Sequence, residues 1–538
     1  MRTPRGPLLA VIVLIIVALS VRSISFQWSP LPYNIDGLSE LRVAQAVQET
    51  GHLEFPSSSS FSDTYVADLP VLGLFIAFFS SALGVDPLTN SQLVTALLGS
   101  IAVAIVFLIF RSHWRSHRGA IASALVLALA GTFVFSAGCT WKETMGFVLL
   151  ALALYSFPLR TALPYRLLMT SSLLLFIVTH HHITIVGYVT LTFALVLGLA
   201  SRDKGYRLAR DDIIDLVTIV SAWVLAIAYY AYIHLPYLDY LSPGTDLYLF
   251  VAVAALVLLL GVRMSRRERP LTRLPLGLAV PVIGAALMLV NFVHPIFTGL
   301  PGPAAAIAVP FIAYLILVAP GWEGAKLALV PKGPTKNLLI AMFLGPLALI
   351  AFAFIRSNDA TSQLIIYRSF DFALIPLALL IGIGFAALVK DKAKVIGALT
   401  GVFLVVVVTA TLPVAYNSQE LFGVENQTYW YEYDAVQWMS EHGVTSYTSD
   451  QRLGETGWRL FDLNNGRGLP YDLREGIALN KSSFYVIENS WSTKGAQEFP
   501  FGVIILNETA VASALSSSSV LYVEGPSDDQ LTYFLSRN

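Results

Sequence analysis

Long apolar runs broken by short polar stretches recur from residue 8 to residue 413. Crossing the hydrocarbon core takes about 20 apolar residues, or somewhat fewer when flanking side chains reach the interface. Runs of that kind lie at 8–24, 89–110, 119–138, 144–158, 166–180, 183–200, 213–233, 247–262, 274–293, 304–320, 338–355, 371–389 and 395–413. They predict about 13 transmembrane helices. Leu69 to Gly84 is apolar but short, and a span there would invert every later loop. It reads instead as a helix lying at the interface. Residues 8–21 follow Arg2 and Arg5 and read as a retained first span rather than a cleaved leader, because so many spans follow.

After residue 413 the pattern changes. Trp430 to His442 has helical spacing, with Ala435, Trp438 and Met439 on one face. Ser483 to Ile487, Val503 to Leu506 and Val520 to Val523 are short β-rich runs between polar residues. The expected fold class is therefore a polytopic all-α membrane domain, residues 1–413, followed by a small α/β domain, residues 414–538. Residues 25–88 form a long first loop with its own helices.

Charge sets the expected orientation. Only 13% of residues are charged against 56% hydrophobic, a balance that points to lipid. With the N-terminus inside, the inner segments hold 22 Lys and Arg, and the outer ones before residue 415 hold five: Arg22, Arg42, Lys142, Arg356 and Arg368. That places the N-terminus in the cytoplasm, and the tail outside, of a multi-pass cell-membrane protein. Residues 1–414 carry a net +8 and the tail a net −9, so the two parts meet different surroundings. Three glycosylation sequons, at Asn426, Asn480 and Asn507, all fall in the tail. The basic clusters follow topology and give no nucleic-acid surface. A single cysteine, Cys139, excludes an intrachain disulfide.

A transporter would place ionisable groups near the bilayer midplane. Here the polar residues gather at the outer ends of the spans instead: Asp36, Glu40, Lys142, Glu143, His180 to His182, His234, Asp239, His294, Arg356, Asp359 and Arg368. Acids and cations converging at one face suggest a reaction site. In the first loop an acid, Asp36, opens a short helix that ends at Gly51, with Glu40 one turn on. Tyr65, Asp68, Leu69 and Pro70 then lead into the interfacial helix.

This order resembles the GT-C class of membrane glycosyltransferases, in particular its protein O-mannosyltransferase and aminoarabinose-transferase branch. The similarity runs through residues 33–110 and departs at two points. Gly37 stands where the class carries a second acidic or polar residue, and Asp68-Leu69-Pro70 replaces its Lys-Pro-Pro. Tyr367-Arg368-Ser369 to Pro376 is similar to the start of a late span in the class, and Thr140-Trp141-Lys142-Glu143 to the loop that often carries a second acid. The tail resembles no known family.

The resemblance implies an enzyme that takes a sugar from a polyprenyl-phosphate carrier to a protein or glycolipid acceptor at the outer face. Asp36 is then the candidate base for the acceptor proton; its plain alternative is a helix N-cap. Glu143 would orient the acceptor. Arg368 would neutralise the carrier phosphate, assisted by Arg356 and Lys142, because paired N–H donors suit that anion. The alternative for the arginines is contact with lipid headgroups, and for Lys142 an ion pair with Glu143. Glu40, Tyr367 and the His180, His181, His182 run are candidate substrate contacts; Glu40 on a solvated face beside Arg42, and a polar span end for the histidines, are the bland readings. The resemblance fixes no cofactor. The carboxylates offer hard oxygen ligands for Mg or Mn, and members of the class differ in needing one. Rival readings are a transporter or flippase for a lipid-linked or polar solute, an assembly protein whose tail binds a partner, and a ligase of lipid-linked glycans.

Overall fold

The computed structural model describes residues 5–53, 64–202, 208–235, 244–267, 276–293, 305–330, 333–417, 427–527 and 531–537, apart from 358, 391, 393, 467, 478, 481–482 and 499–501. The helices, in chain order, are α1 Arg5–Arg22, α2 Gly37–Thr50, α3 Thr64–Asp68, α4 Val71–Leu83, α5 Pro87–Trp114, α6 His117–Leu129, α7 Gly131–Ser136, α8 Lys142–Ser156, α9 Leu163–Thr179, α10 His181–Ala200, α11 Arg210–Tyr232, α12 Thr245–Arg266, α13 Leu276–Val293, α14 Ala308–Ala328, α15 Pro334–Arg356, α16 Ala360–Leu388, α17 Lys394–Thr409 and α18 Pro413–Tyr416. In the tail follow α19 Trp430–Glu441, α20 Gln451–Phe461, α21 Leu469–Arg474 and α22 Glu508–Ser516.

Each apolar run picked out above overlaps at least one helix among the described residues. Ten helices among the described residues are long and apolar enough to cross a membrane. Three further runs fall on α6 and α9, which are apolar but shorter, and on α13. Large apolar side chains such as Val224, Ile227, Leu256 and Val402 stay exposed along the spans. That is how a surface solvated by lipid tails rather than water is built. Leu69 to Gly84 forms α4, a separate helix whose neighbours are α2, α5, α8 and α9. Both α2 and α4 stop at glycines in the left-handed region, Gly51 at φ 74° and Gly84 at φ 66°, where a side chain would be strained.

Two expectations need correction. The run at 119–138 is not one helix: it breaks at Ala130, which is extended (φ −67°, ψ 117°) between α6 and α7. Thr411 holds the break, its Oγ1 accepting from Gly131 N at 2.8 Å. Second, Arg356 and Arg368 do not share an outer loop. Arg356 ends α15, while α16 begins at Ala360, so Arg368 lies inside a helix. The early start has a local cause: Asp359 caps α16, accepting from Ser362 N at 2.7 Å.

The tail is built on strands β1 Ser446–Thr448, β2 Asn464–Gly466, β3 Ser483–Glu488, β4 Ala496–Glu498, β5 Gly502–Ile504, β6 Ser519–Glu524 and β7 Thr532–Arg537. Five of them form one sheet in the order β2-β1-β3-β7-β6, and β4 pairs with β5. β1 runs parallel to β2 and β3, while β7 is antiparallel to β3 and β6. Val436, Met439, Leu453, Val486, Trp491 and Phe534 lie in its core. α20 rests on α2. Leu460 is buried among Leu31, Leu38, Leu41 and Leu88 of the first loop and the α5 start, a burial of about 1.5–3 kcal/mol for such a side chain.

Candidate active site

Four places in the chain meet at one end of the helix bundle: the start of α2, the loop before α8, the α9–α10 junction and the first turns of α16. Close backbone packing brings the first two together. A Cβ on Gly37 would stand 2.7 Å from Thr140 O and 2.7 Å from Pro32 Cβ, so no side chain fits. That contact explains why a second acid cannot follow Asp36 here. Gln92, early in α5, ties the same two loops. Its Oε1 accepts from Tyr33 N at 3.0 Å and from Thr140 Oγ1 at 3.1 Å, and its Nε2 donates to Gly138 O at 2.8 Å.

Asp36 stands at the N-cap position of α2, but its side chain makes no capping hydrogen bond. Its own N–H is satisfied by Asn34 Oδ1 at 2.8 Å. The carboxylate is half exposed and faces Arg459 of the tail, with Oδ1 3.8 Å from Nη2. Glu40, one turn on, is buried rather than solvated. Its Oε1 lies 3.4 Å from Lys142 Nζ, so this is the lysine's ion pair, where the sequence suggested Glu143. Asp68 stands within the field of Lys142; partial burial pushes its carboxyl up from the ordinary value, and the lysine pulls it back.

Glu143, in the first turn of α8, takes Arg368 instead. Arg368 Nη1 donates to Glu143 Oε1 and lies 3.2 Å from His180 Nε2. His180 is extended (φ −167°, ψ 130°) and breaks the chain between α9 and α10. Its Nδ1 accepts from His182 N at 3.2 Å. A neutral ring therefore carries its hydrogen on Nε2, turned to Glu143 Oε1 at 3.5 Å. His182 Nε2 lies 3.2 Å from Ser369 Oγ, and His181 stacks on His180 with ring centroids 4.5 Å apart. The break thus turns two of three consecutive histidines onto α16, which an unbroken helix could not do. Tyr367, beside Arg368, is half exposed.

Arg356 belongs to another cluster. It donates from Nε to Asp246 Oδ2 at 2.9 Å and from Nη1 to Asp359 Oδ2 at 2.8 Å. Its partner Asp359 caps α16, nine residues before Arg368 and so roughly 14 Å away along the axis. Asp239 and His294 lie outside the described residues.

Asp371 joins the site without having been picked out from the sequence. It is buried and accepts from Ser136 Oγ at 2.6 Å. The signal was an acid just inside an apolar run, three residues after Arg368. Cys139 lies within electrostatic reach of Asp36, Glu143 and Asp371. A divalent cation needs several oxygen ligands in one place. Among the described residues no group of three His, Cys, Asp or Glu gathers to hold one, and Glu143 already faces cationic and N–H partners.

No family model matches this chain, and no curated protein does. Among solved structures it is similar to the archaeal oligosaccharyltransferase AglB from Archaeoglobus fulgidus, in complex with an inhibitory peptide and a dolichol-phosphate. That likeness has a TM-score of 0.53 at 11% identity and covers 90% of this chain and 70% of the other. It is also similar to the arabinofuranosyltransferase AftD from Mycobacteria, with a TM-score of 0.50 at 13% identity, over 100% of this chain and 42% of that one. ArnT from Cupriavidus metallidurans, bound to undecaprenyl phosphate, aligns over 97% of both chains at 12% identity. Its TM-score of 0.38 is too low to favour one branch of the class. At such identities the likeness is one of fold: the chain has the fold of the GT-C membrane glycosyltransferases.

Proposed function

We propose that this chain, built on the GT-C fold, is a membrane glycosyltransferase that moves a sugar from a polyprenyl-phosphate carrier to an acceptor at the outer face. The observation that carries the reading is the Glu143–Arg368–His180 group, its acid and imidazole buried, joined through Thr140 and Lys142 to the start of the helix that presents Asp36. A guanidinium suited to a lipid phosphate and a half-exposed carboxylate suited to an acceptor then belong to the same end of the bundle.

The chemistry follows from the charges. An acceptor hydroxyl or amide attacks the anomeric carbon, and its proton passes to Asp36. The bond from that carbon to the phosphate oxygen breaks, and the polyprenyl phosphate leaves with its electron pair. Arg368 meets the charge that develops on the leaving phosphate. Attack in line with departure inverts the anomeric centre. Glu143 holds the guanidinium in place, the Nε2–H of His180 turns to the same Glu143 carboxylate, and the buried Glu40–Lys142 pair fixes α2 against α8. Arg356, held by Asp246 and Asp359 at the N-terminal start of α16, lies away from Arg368 and is given no part in holding the same phosphate.

Incubating the purified protein with labelled polyprenyl-phosphate sugars tests the reading. Wild type should transfer label, and Asp36→Asn should lose about 10²–10⁴-fold in rate, the usual contribution of a positioned base. Turnover that survives the substitution removes Asp36 from the mechanism, and the absence of turnover with every donor removes the transferase reading.

A further inference from the structure

The loop that carries Asp36 is braced from the tail. α20 crosses the N-terminal half of α2, and two neighbouring arginine contacts span the seam. Arg42 of α2 donates from Nη1 to Leu460 O at 3.2 Å and from Nη2 to Asp462 Oδ2 at 2.7 Å. Arg459 of α20 reaches back the other way. Its Nε donates to Glu455 Oε2 at 2.7 Å, its Nη1 donates to Ser39 Oγ, and its Nη2 stands 3.8 Å from Asp36 Oδ1. Glu455 and Ser39 are buried, so the guanidinium is clamped on two edges while the third faces the half-exposed carboxylate. The planar fork of an arginine keeps that orientation better than a lysine could.

We propose that Arg459 is a positioning residue for Asp36, so that the tail domain completes the reaction site. The inference rests on Asp36 being the base. An ion pair this exposed adds little to stability, so its contribution lies in turning the carboxylate toward the acceptor and keeping a fixed positive charge beside it. Misplacing a reacting group by about 1 Å can cost on the order of 10²-fold in rate.

The test compares full-length Arg459→Gln, Arg459→Lys and Arg42→Gln, each checked for a wild-type melting temperature. Arg42→Gln loosens the same seam without facing Asp36. Arg459→Gln should lower kcat about tenfold, with the donor KM within about twofold of wild type. Arg459→Lys should recover part of the loss, and Arg42→Gln should keep kcat within about twofold. Equal losses in Arg459→Gln and Arg42→Gln would show docking alone and overturn the proposal, as would full activity in Arg459→Gln. Should Arg459→Gln melt early, the Arg459→Lys result decides, because a folded lysine variant at wild-type kcat also overturns it. A wild type inert with every donor would sink the transferase reading itself, an outcome distinct from these.

Discussion

Replacing Glu143 by Gln asks whether Arg368 is a phosphate ligand, and the expected answer runs against intuition. Glu143 Oε1 accepts from Arg368 Nη1, so a carrier phosphate that takes the same guanidinium has to compete with that carboxylate. Hydrogen bonds to charged groups contribute ~1.5–3 kcal/mol. The Arg368 side chain is 18% exposed and that of Glu143 7%, so solvent screens the pair little and its strength stays within that range. Glutamine keeps a neutral acceptor, so the competition lost is about 1 kcal/mol, or about fivefold in affinity. Polyprenyl phosphate titrated into the detergent-solubilised protein should therefore bind about fivefold more tightly to Glu143→Gln than to wild type. Arg368→Gln should bind it more weakly, and in the double variant the gain from Glu143→Gln should disappear. Unchanged affinity in Glu143→Gln, or a gain that persists without Arg368, refutes the assignment.

Other outcomes follow from the same geometry. Gly37→Ala forces a methyl against Thr140 O and Pro32 Cβ, each at 2.7 Å; it should cost about 1–3 kcal/mol and lower turnover, and an unaltered melting temperature with full activity contradicts the packing described. Arg452 of the tail is buried between Glu432 and Glu488. Arg452→Met leaves those two carboxyl groups facing each other, at an expected loss of about 3–5 kcal/mol; a tail that still resists protease in the full-length variant argues against this. Burial pushes the Asp450 carboxyl up to about 6, against the pull of Arg452. The folded tail thus holds that proton more tightly than the unfolded chain does. The stability it contributes is complete below the ordinary value of 3.8 and is lost as pH rises through about 6. Melting curves of the full-length protein from pH 4 to 7 should fall more steeply for wild type than for Asp450→Asn, and parallel curves dispose of the idea.

The helices were legible because lipid enforces length and composition together: a run such as 395–413 has few other readings. Helix α2 was legible from its ends, the polar opening at Asp36 and the stop at Gly51. The strands β1 and β2 were not, since three residues each are too few for alternation to show. The site was legible as a list of residues but not as a set of partners. That Glu40 takes Lys142 and Glu143 takes Arg368 depends on how α2, α8 and α16 pack, and no local pattern encodes it. The break at His180 was legible, since the apolar runs 166–180 and 183–200 part there, but the partners it gives the histidines were not. Three consecutive histidines look like a frayed end, and only the contacts of His180 and His182 with Arg368 and Ser369 give the break its shape. Gln92 is by its local pattern one polar residue in a long apolar helix, although it joins two loops of the site.

Ser39 and Arg459 are 420 residues apart in the chain. At synthesis rates of about 5–20 residues per second, the first loop is made roughly 20–80 seconds before its brace exists. For the enzyme proposed above, the growing chain could fold its bundle and even meet carrier lipid while the base is still unsteered. Activity would switch on late and all at once, when the tail docks on the first loop, so products stalled before it would be idle rather than wasteful of activated sugar.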